Sequence, residues 1–206
     1  MSIEAVVFDI GNVLIEWNPE RFFDSRIGED RRKRLFSEVP LADMNDGVDR
    51  GDHFSDAVAR MAGSHPEWAP EIQLWHDNWI DMASPSIDHS VRLLRGLRAR
   101  GIPVFALSNF GVQTFEIAQA HYPFLTEFDH RYISGHIGSI KPEAQIYELL
   151  ETTCGVMPEA LFFTDDRADN IAVAEARGWQ THLFDGPDGL AQRLVDAGLL
   201  SPEEAV

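Results

Sequence analysis

Ala5-Val6-Val7-Phe8-Asp9-Ile10-Gly11-Asn12-Val13-Leu14 is the stretch of sequence on which the expected fold depends. Its first four residues are apolar and no polar residue interrupts them, which predicts a strand buried on both faces. Asp9 ends this run, and Gly11 with Asn12 allows the backbone to turn tightly. A carboxylate at the carboxyl end of a buried parallel strand lies where open α/β sheets bind their ligands. Taken alone, Asp9 is equally well explained as a residue that caps a turn.

The same pattern of a buried strand followed by polar residues recurs along the chain. Residues 103–107 precede Ser108-Asn109, and residues 161–164 precede Asp165-Asp166. Further strands are predicted near 130–133 and 181–184, and helices over 87–100, 112–120, 143–153 and 168–177, with Pro142 in the first turn of the third. Strands that alternate with helices imply right-handed crossovers. We therefore expect an α/β fold with a Rossmann-like parallel sheet and helices on both faces.

The segment between the first strand and the second half of the chain has a different character. Residues 16–83 contain helical patterns and few convincing strands. This change predicts a discontinuous core formed by residues 1–15 and 84–206. Residues 16–83 would then be an α-helical domain inserted after the first strand.

Charge and composition limit the classes of partner. The formal net charge of −17 argues against nucleic acid and against an anionic membrane surface. No apolar run approaches the length of a membrane span. The single cysteine, Cys154, and the absence of room for a signal peptide before the first strand favour a cytoplasmic protein. An anionic substrate would need locally concentrated positive charge, and the sequence does not indicate an oligomeric state.

Polar residues at the predicted strand ends and helix starts have complementary chemistry. If the strands are parallel neighbours, Asp9, Ser108-Asn109, Lys141 and Asp165-Asp166 meet at one edge of the sheet, with Asp169 behind them. Converging carboxylates repel one another unless a hard cation lies between them, and such oxygen ligands suit Mg²⁺. A lysine provides a point charge for a phosphate, and a serine hydroxyl donates to its oxygens. A carboxylate nucleophile can form an acyl phosphate.

The order and spacing of these residues resemble the four motifs of the haloacid dehalogenase-like (HAD) superfamily, in its subclass with a helical cap. Asp9 lies in the first motif, Ser108 in the second and Lys141, before Pro142, in the third. The run from Asp165 to Asp169 resembles the acidic fourth motif. The resemblance covers essentially the whole chain and implies that residues 16–83 are the cap.

The resemblance also implies a role for each matched residue. Asp9 would attack phosphorus, Lys141 would stabilise both nucleophile and phosphate, and Ser108 with the Asn109 backbone would bind phosphate oxygens. Mg²⁺ would be held by Asp9, the backbone carbonyl of Gly11 and Asp165. Asp166 and Asp169 would contribute directly or indirectly, and the sequence does not rank them.

Gly11 is the one departure from the superfamily pattern. Most phosphatases of the superfamily have a second aspartate at this position, which acts as general acid and base. The Phe-Asp-x-Gly-Asn-Val form found here is similar to that of bacterial sugar phosphatases of the superfamily. The resemblance thus implies a phosphatase for a small phosphorylated metabolite, with a sugar phosphate as one candidate, and with no proton donor at the usual place.

Two alternatives remain open at this stage. A 2-haloacid dehalogenase would use Asp9 as a nucleophile on carbon and needs no metal, but it leaves the acidic cluster unexplained. A module that binds a phospho-ligand without catalysis would need a decayed site, whereas all motif positions except one are intact. If the missing acid is replaced from the cap, Asp43, Asp46, His76 and Asp77 are the sequence candidates.

Overall fold

A computed structural model of the protein describes residues 2–206. Its strands are Ala5–Phe8 (β1), Ile15–Trp17 (β2), Ala83–Ser86 (β3), Val104–Ser108 (β4), His130–Ile133 (β5), Leu161–Asp165 (β6) and Gln180–Leu183 (β7). Its α-helices are Pro19–Ile27 (α1), Glu29–Glu38 (α2), Leu41–Asp49 (α3), Phe54–Ser64 (α4), Ala69–Asp77 (α5), Trp79–Met82 (α6), Asp88–Ala99 (α7), Val112–His121 (α8), Ser134–Ile137 (α9), Ala144–Thr153 (α10), Ala168–Ala176 (α11) and Pro187–Asp196 (α12).

Five strands form one parallel sheet in the order β5-β4-β1-β6-β7. The central strand is β1, where Val7 lies opposite Phe105 on one side and Phe163 on the other. The predicted α/β class with a parallel sheet is confirmed. This order makes β4 and β6 the two neighbours of β1, so the carboxyl ends of these three strands share one edge.

Alternation of side chains along β1 explains why both faces of the sheet are covered. Val6 and Phe8 belong to one apolar cluster, and Ala5 and Val7 belong to a second cluster on the other face. The first cluster receives leucines of α7 and α12, and the second receives apolar residues of α10 and α11. Because neighbouring residues of a strand face opposite sides, a continuous apolar run is what a doubly covered strand requires.

Helices α1 to α6 lie between two short strands that pair with each other. β2 and β3 form an antiparallel ribbon in which Ile15 lies opposite Ser86 and Trp17 opposite Ala83. The sequence patterns did not indicate these strands, because each has only three or four residues and β3 contains Pro85. Apolar residues of the helical segment join the same cluster as Val6 and Phe8. The division into residues 1–15 with 84–206 and residues 16–83 stays a prediction.

The sequence predicts Pro142 in the first turn of a helix, but the structure places it in the loop before that helix. The helix begins at Ala144, and Glu143 before it has an extended backbone with φ −63° and ψ 140°. The Glu143 carboxylate accepts hydrogen bonds from Ser139 Oγ at 2.9 Å and from the Ile140 amide at 3.2 Å. This contact holds the residues before Lys141 as a loop. Among residues 2–206, no helix has both the length and the apolar character needed to cross a membrane.

Candidate active site

The carboxyl ends of β1, β4 and β6 bring the sequence-predicted site residues together. Asp9 directly follows β1, Ser108 ends β4 and Asp165 ends β6. The Ser108 hydroxyl donates a hydrogen bond to Asp9 Oδ1 at 2.6 Å. The Ile10 amide donates to the same oxygen at 2.7 Å. Strand pairing therefore fixes the position of the Asp9 carboxylate.

Lys141 lies between the two most buried carboxylates of the site. Its ammonium Nζ is 2.9 Å from Asp9 Oδ1 and 2.6 Å from Asp165 Oδ2. Its backbone is held by the Asn109 side chain, whose Oδ1 accepts from the Lys141 amide at 2.7 Å and whose Nδ2 donates to the Lys141 carbonyl at 3.0 Å. The loop after β4 therefore fixes the position of the loop that contains Lys141. The side chain of Asn109 has this bracing role in addition to any role of its backbone.

Asp165 is completely buried and has hydrogen-bond donors on both oxygens. Oδ1 accepts from the Arg167 amide at 2.8 Å, and Asn170 Nδ2 lies 3.0 Å from both carboxylate oxygens. Arg167 and Asn170 belong to the turn into α11 and to its first turn, so the local fold after β6 orients the carboxylate.

Burial and mutual charge shift the pKa values of the site. Burial raises the pKa of Asp9 to about 7, with Lys141 opposing this shift and Asp165 adding to it. Burial by itself would lower the pKa of Lys141, but Asp9 and Asp165 outweigh it and hold that pKa above its ordinary value. Lys141 is therefore a permanent cation, while the ionised form of Asp9 would gain from further positive charge.

The donor set fits a hard divalent cation. Asp9, Asp165 and Asp166 each offer a carboxylate oxygen, and these three atoms lie within 4.8 Å of one another. When ionised, the three carboxylates exceed the charge of Lys141 by two. Asn170 Oδ1, buried beside Asp165, has no hydrogen-bond partner among the described residues. Oxygen ligands on a carboxylate-rich edge are what Mg²⁺ prefers.

The structure ranks the two aspartates that the sequence could not rank. Asp166 belongs to the carboxylate cluster and accepts a hydrogen bond from Asn12 Nδ2 at 2.9 Å. Asp169 instead pairs with the Arg167 guanidinium, with Nη2 2.7 Å from Oδ2, and this hydrogen bond lowers the pKa of Asp169. Asp169 therefore lies outside the cluster.

Asn12 connects the turn after Asp9 with two other parts of the site. Its Oδ1 accepts from the Trp17 amide at 2.9 Å, and its Nδ2 bonds to Asp166 as described above. Its φ of 55° is left-handed, a conformation that asparagine tolerates better than most residues. One side chain thus connects the loop after β6 and the last residue of β2 to the turn that follows Asp9. From the sequence, Asn12 is predicted only to be a turn residue within the first motif.

A cavity of about 360 Å³ opens over these residues. The sheet side of its wall includes Asp9, Gly11, Ser108, Asn109, Lys141 and Asp166. The helical segment adds Asn45, Asp46, Asp49 and Trp79, and β2 adds Glu16 and Trp17. Of the four cap candidates named from the sequence, only Asp46 lines the cavity; His76 instead packs on Phe54 and bonds to Asp77. Asp49 was missed, because a lone aspartate at a helix end has no distinguishing sequence signal.

The C-terminal end of α3 docks directly on the site loops. A Cβ added at Gly111 would lie 2.9 Å from the Val48 carbonyl oxygen and 2.5 Å from its Cγ1, so glycine allows this close approach. Arg50 Nη1 lies 2.6 Å from Glu143 Oε1, on the residue that bonds to Ser139 and Ile140 before Lys141. The position of α3 is thereby tied to the loops that carry Ser108 and Lys141.

Comparison with known proteins identifies the family. The profile described as "Hydrolase: haloacid dehalogenase-like hydrolase" matches residues 3–178. A sesquiterpene phosphatase of Aspergillus oryzae is 26% identical over 187 residues, which cover 89% of this chain and 91% of that protein. A D-ribitol-5-phosphate phosphatase of Bacteroides thetaiotaomicron is 22% identical over 201 residues, which cover 87% of this chain and 90% of that one.

The chain is also similar to part of a longer protein, and its fold is similar to that of a solved structure. A drimenol cyclase of Aspergillus calidoustus is 23% identical over 198 residues, but the match spans only 36% of that protein and 94% of this chain. A solved structure of a HAD family enzyme from B. thetaiotaomicron, in complex with magnesium and inorganic phosphate, superposes with a TM-score of 0.69 at 22% identity. That match covers 90% of this chain and 96% of the other, and it shows a shared fold.

Proposed function

The chain belongs to the haloacid dehalogenase-like hydrolases, and from this premise we propose that it is a Mg²⁺-dependent phosphatase acting on a small phosphorylated metabolite. Asp9 attacks the phosphorus atom and forms an aspartyl phosphate, which water then hydrolyses. Bound Mg²⁺ would supply charge neutralisation for the carboxylates and the phosphate oxygens. Asp9, Asp165, Asp166 and the Gly11 carbonyl are the groups proposed to hold it.

The observation that carries this proposal is the environment of Asp9. One carboxylate oxygen receives donors from Lys141, Ser108 and the Ile10 amide, on the same sheet edge as the cluster with Asp165 and Asp166. These groups are held in place before any substrate arrives, since the side chains of Lys141 and Asp165 are almost completely buried. Fixed charges and donors around a transferring phosphoryl group are the main source of catalysis in this reaction class.

Ser108, Asn109 and Lys141 are the proposed phosphate-binding residues. The Lys141 ammonium has three N–H donors, so it can serve Asp9, Asp165 and a phosphate oxygen together. The Ser108 hydroxyl has a single O–H donor, which would turn from Asp9 to a phosphate oxygen when the substrate binds. The bracing of Lys141 by the Asn109 side chain keeps the two loops at a constant separation. A constant separation favours one phosphate geometry over others.

The alternative of a 2-haloacid dehalogenase fits the site less well. Such an enzyme gains nothing from three carboxylate oxygens within 4.8 Å of one another, which repel unless a cation is bound. The alternative of a non-catalytic phospho-ligand module leaves unexplained why three donors converge on one oxygen of Asp9 beside the carboxylate cluster. The similarity to a sesquiterpene phosphatase and to a D-ribitol-5-phosphate phosphatase also favours phosphate ester hydrolysis.

The cavity favours a leaving group of modest size with both polar and apolar parts. Its volume of about 360 Å³ is at the small end of ligand pockets. Trp17, Trp79 and Phe110 form one wall, with ring centroids 5.7 Å apart for each neighbouring pair. Asn45 and Asp46 provide polar groups on another part of the wall. A sugar or polyol phosphate satisfies this combination.

One assay separates the three functions. The purified protein is incubated with p-nitrophenyl phosphate and, separately, with 2-chloropropionate, each with Mg²⁺ and with EDTA. We expect phosphate release that requires Mg²⁺, no halide release, and an acid-quenched enzyme whose phosphoryl group is removed by hydroxylamine. Halide release without a metal requirement would instead establish the dehalogenase, and no turnover on either compound would favour the binding module.

A further inference from the structure

Gly11 leaves the proposed reaction without a proton donor at the usual place. When Asp9 attacks, the bond between phosphorus and the leaving oxygen breaks, and an alkoxide is a poor leaving group unless it receives a proton. The attacking and leaving oxygens lie roughly in line across phosphorus. The leaving oxygen must therefore point away from Asp9, into the cavity, where the helical segment provides the wall.

We propose that Asp49, at the C-terminal end of α3, is the general acid and base of this enzyme. This inference rests on the proposed phosphatase function. Asp49 lines the same cavity as Asp9, Ser108 and Lys141. The backbone amide of Gly111, three residues after Ser108, lies against its carboxyl group. Asp49 is thus held over the loop that is proposed to bind the phosphate.

The side chain of Asp49 is fixed in this position by its own helix. Asn45 Nδ2, one helical turn earlier, donates to Asp49 Oδ2 at 2.9 Å. The next residue towards the N-terminus, Val48, packs on Gly111, and the next towards the C-terminus, Arg50, pairs with Glu143. Both neighbours of Asp49 therefore anchor it to loops of the sheet. A general acid needs this kind of fixed position near the reacting oxygen.

The protonation state of Asp49 suits a proton donor near neutral pH. Burial raises its pKa to about 7, and the negative charges of Asp46 and Asp9 contribute in the same direction. The Gly111 amide and Asn45 oppose the shift but do not cancel it. Arg50 does not neutralise Asp49, since its guanidinium is directed to Glu143. An acid with a pKa near the working pH is the most effective proton donor and acceptor.

The proton that Asp49 gives up in the first step is restored to it in the second. In the first step the bond from Asp9 to phosphorus forms, the bond to the leaving oxygen breaks, and the proton of Asp49 moves to that oxygen, so that an alcohol leaves. In the second step water attacks the phosphorus of the aspartyl phosphate, the bond to Asp9 breaks, and the Asp49 carboxylate takes a proton from the water. Inorganic phosphate is released and Asp49 is again protonated.

The test compares two leaving groups in the wild type and three variants. p-Nitrophenolate leaves well without a proton, whereas the butoxide of n-butyl phosphate does not. We expect Asp49→Asn to lower kcat/KM for n-butyl phosphate by about 10²-fold or more, the usual contribution of general acid catalysis, while p-nitrophenyl phosphate changes only slightly. Asp43→Asn, an exposed position on the same helix, is the matched control and should change neither. Asp46→Asn tests the other acidic residue that helix α3 adds to the cavity wall.

Gly11→Asp provides a rescue experiment. A Cβ at Gly11 would meet no atom within 4 Å, and its backbone is not left-handed, so an aspartate fits there and lines the cavity. The double variant Gly11→Asp with Asp49→Asn should regain much of the lost activity on n-butyl phosphate. A purely structural role of Asp49 would not be rescued from a different strand end.

Wild-type pH profiles test the proposal without any substitution. Because a general acid must be protonated, kcat/KM for n-butyl phosphate should fall as the pH rises through about 7, and this fall should be absent for p-nitrophenyl phosphate. Titration of Asp9 acts on both substrates alike and cancels in the comparison. Equal losses on both substrates in Asp49→Asn, a selective loss in Asp46→Asn instead, or identical pH profiles would overturn the proposal. Retained Mg²⁺-dependent hydrolysis of p-nitrophenyl phosphate in those cases would leave the phosphatase function intact.

Discussion

The two walls of the cavity hold their charged groups in different ways. On the sheet side, the Lys141 side chain is almost completely buried, and its Nζ lies within 2.9 Å of two carboxylates. The Lys141 backbone is bonded to Asn109, which directly follows β4. On the helical side, Asp49 has amide partners, and its helix is held in place by the Gly111 and Glu143 contacts. We therefore expect phosphoryl transfer to depend on the sheet wall, and protonation of the leaving group to depend on the helical wall. Changes on the sheet wall should therefore affect all substrates, and changes on the helical wall should discriminate among them.

The largest effect is expected at Asp9. Asp9→Asn keeps the shape of the side chain but cannot form an acyl phosphate, so kcat should fall on the order of 10⁴-fold or more for every substrate. Circular dichroism should show an unchanged fold, and no hydroxylamine-sensitive phosphoryl group should be trapped. Substantial residual turnover would point to a different nucleophile.

Lys141 should have the largest effect on stability. Lys141→Met removes the cation shared by Asp9 and Asp165 and leaves buried carboxylates without compensation. Breaking a buried ion pair in this way typically costs about 3–5 kcal/mol of the free energy of unfolding, measured here by urea denaturation with EDTA present. Arg95→Met, which breaks an exposed pair with Glu127, is the control and should cost less than about 1 kcal/mol. Similar losses in the two variants would contradict the central role given to Lys141.

Substitutions in the loop after β6 should show that Asp166 and Asp169 differ in their effect on the Mg²⁺ requirement. Asp166→Asn should raise the Mg²⁺ concentration for half-maximal activity by about 10–100-fold, as expected for loss of a group close to the metal. Asp169→Asn should leave that concentration near the wild-type value, since Asp169 pairs with Arg167. Titration of activity with Mg²⁺ after treatment with EDTA measures both. The reverse order of effects would show that the metal lies closer to Asp169.

The smallest of these effects concerns the contact between the two walls. Gly111→Ala would place a Cβ 2.9 Å from the Val48 carbonyl oxygen and 2.5 Å from its Cγ1, so α3 must shift. We expect a loss of about 1–3 kcal/mol in the free energy of unfolding, typical of overpacking. Activity on n-butyl phosphate should fall more than activity on p-nitrophenyl phosphate, because Asp49 moves with α3.

Gly63→Ala is the matched control for this contact. An added Cβ at Gly63 would meet no atom within 4 Å, and alanine favours a helix, so stability should be unchanged or slightly higher. A Gly111→Ala variant as stable and as selective as wild type would show that the two walls are not coupled through this contact.

Much of the sheet wall could be predicted from the sequence. Apolar runs such as Ala5–Phe8, alternating with helical segments, predict strands covered on both faces, and the polar residue after each run then lies at the sheet edge. This pattern predicts that Asp9, Ser108 and Asp165 lie together, and the motif order adds Lys141 to them. Family resemblance assigned roles to them, while geometry supplied the distances and the ranking of Asp166 over Asp169.

The helical wall could not be predicted in the same detail. Periodicity indicates that residues 16–83 are largely helical, but it does not indicate which helix end meets which loop. Asp49 carries no local signal, and its role depends on a glycine 62 positions later in the chain that lets α3 approach. Asn12 likewise gains its bridging contacts only when β2 and the loop after β6 are in place. Local pattern thus determined the strands of the parallel sheet and the polar residues at their ends, because burial acts on each segment separately. Tertiary structure alone decided the leaving-group wall, because it depends on close packing between segments that are distant in the sequence.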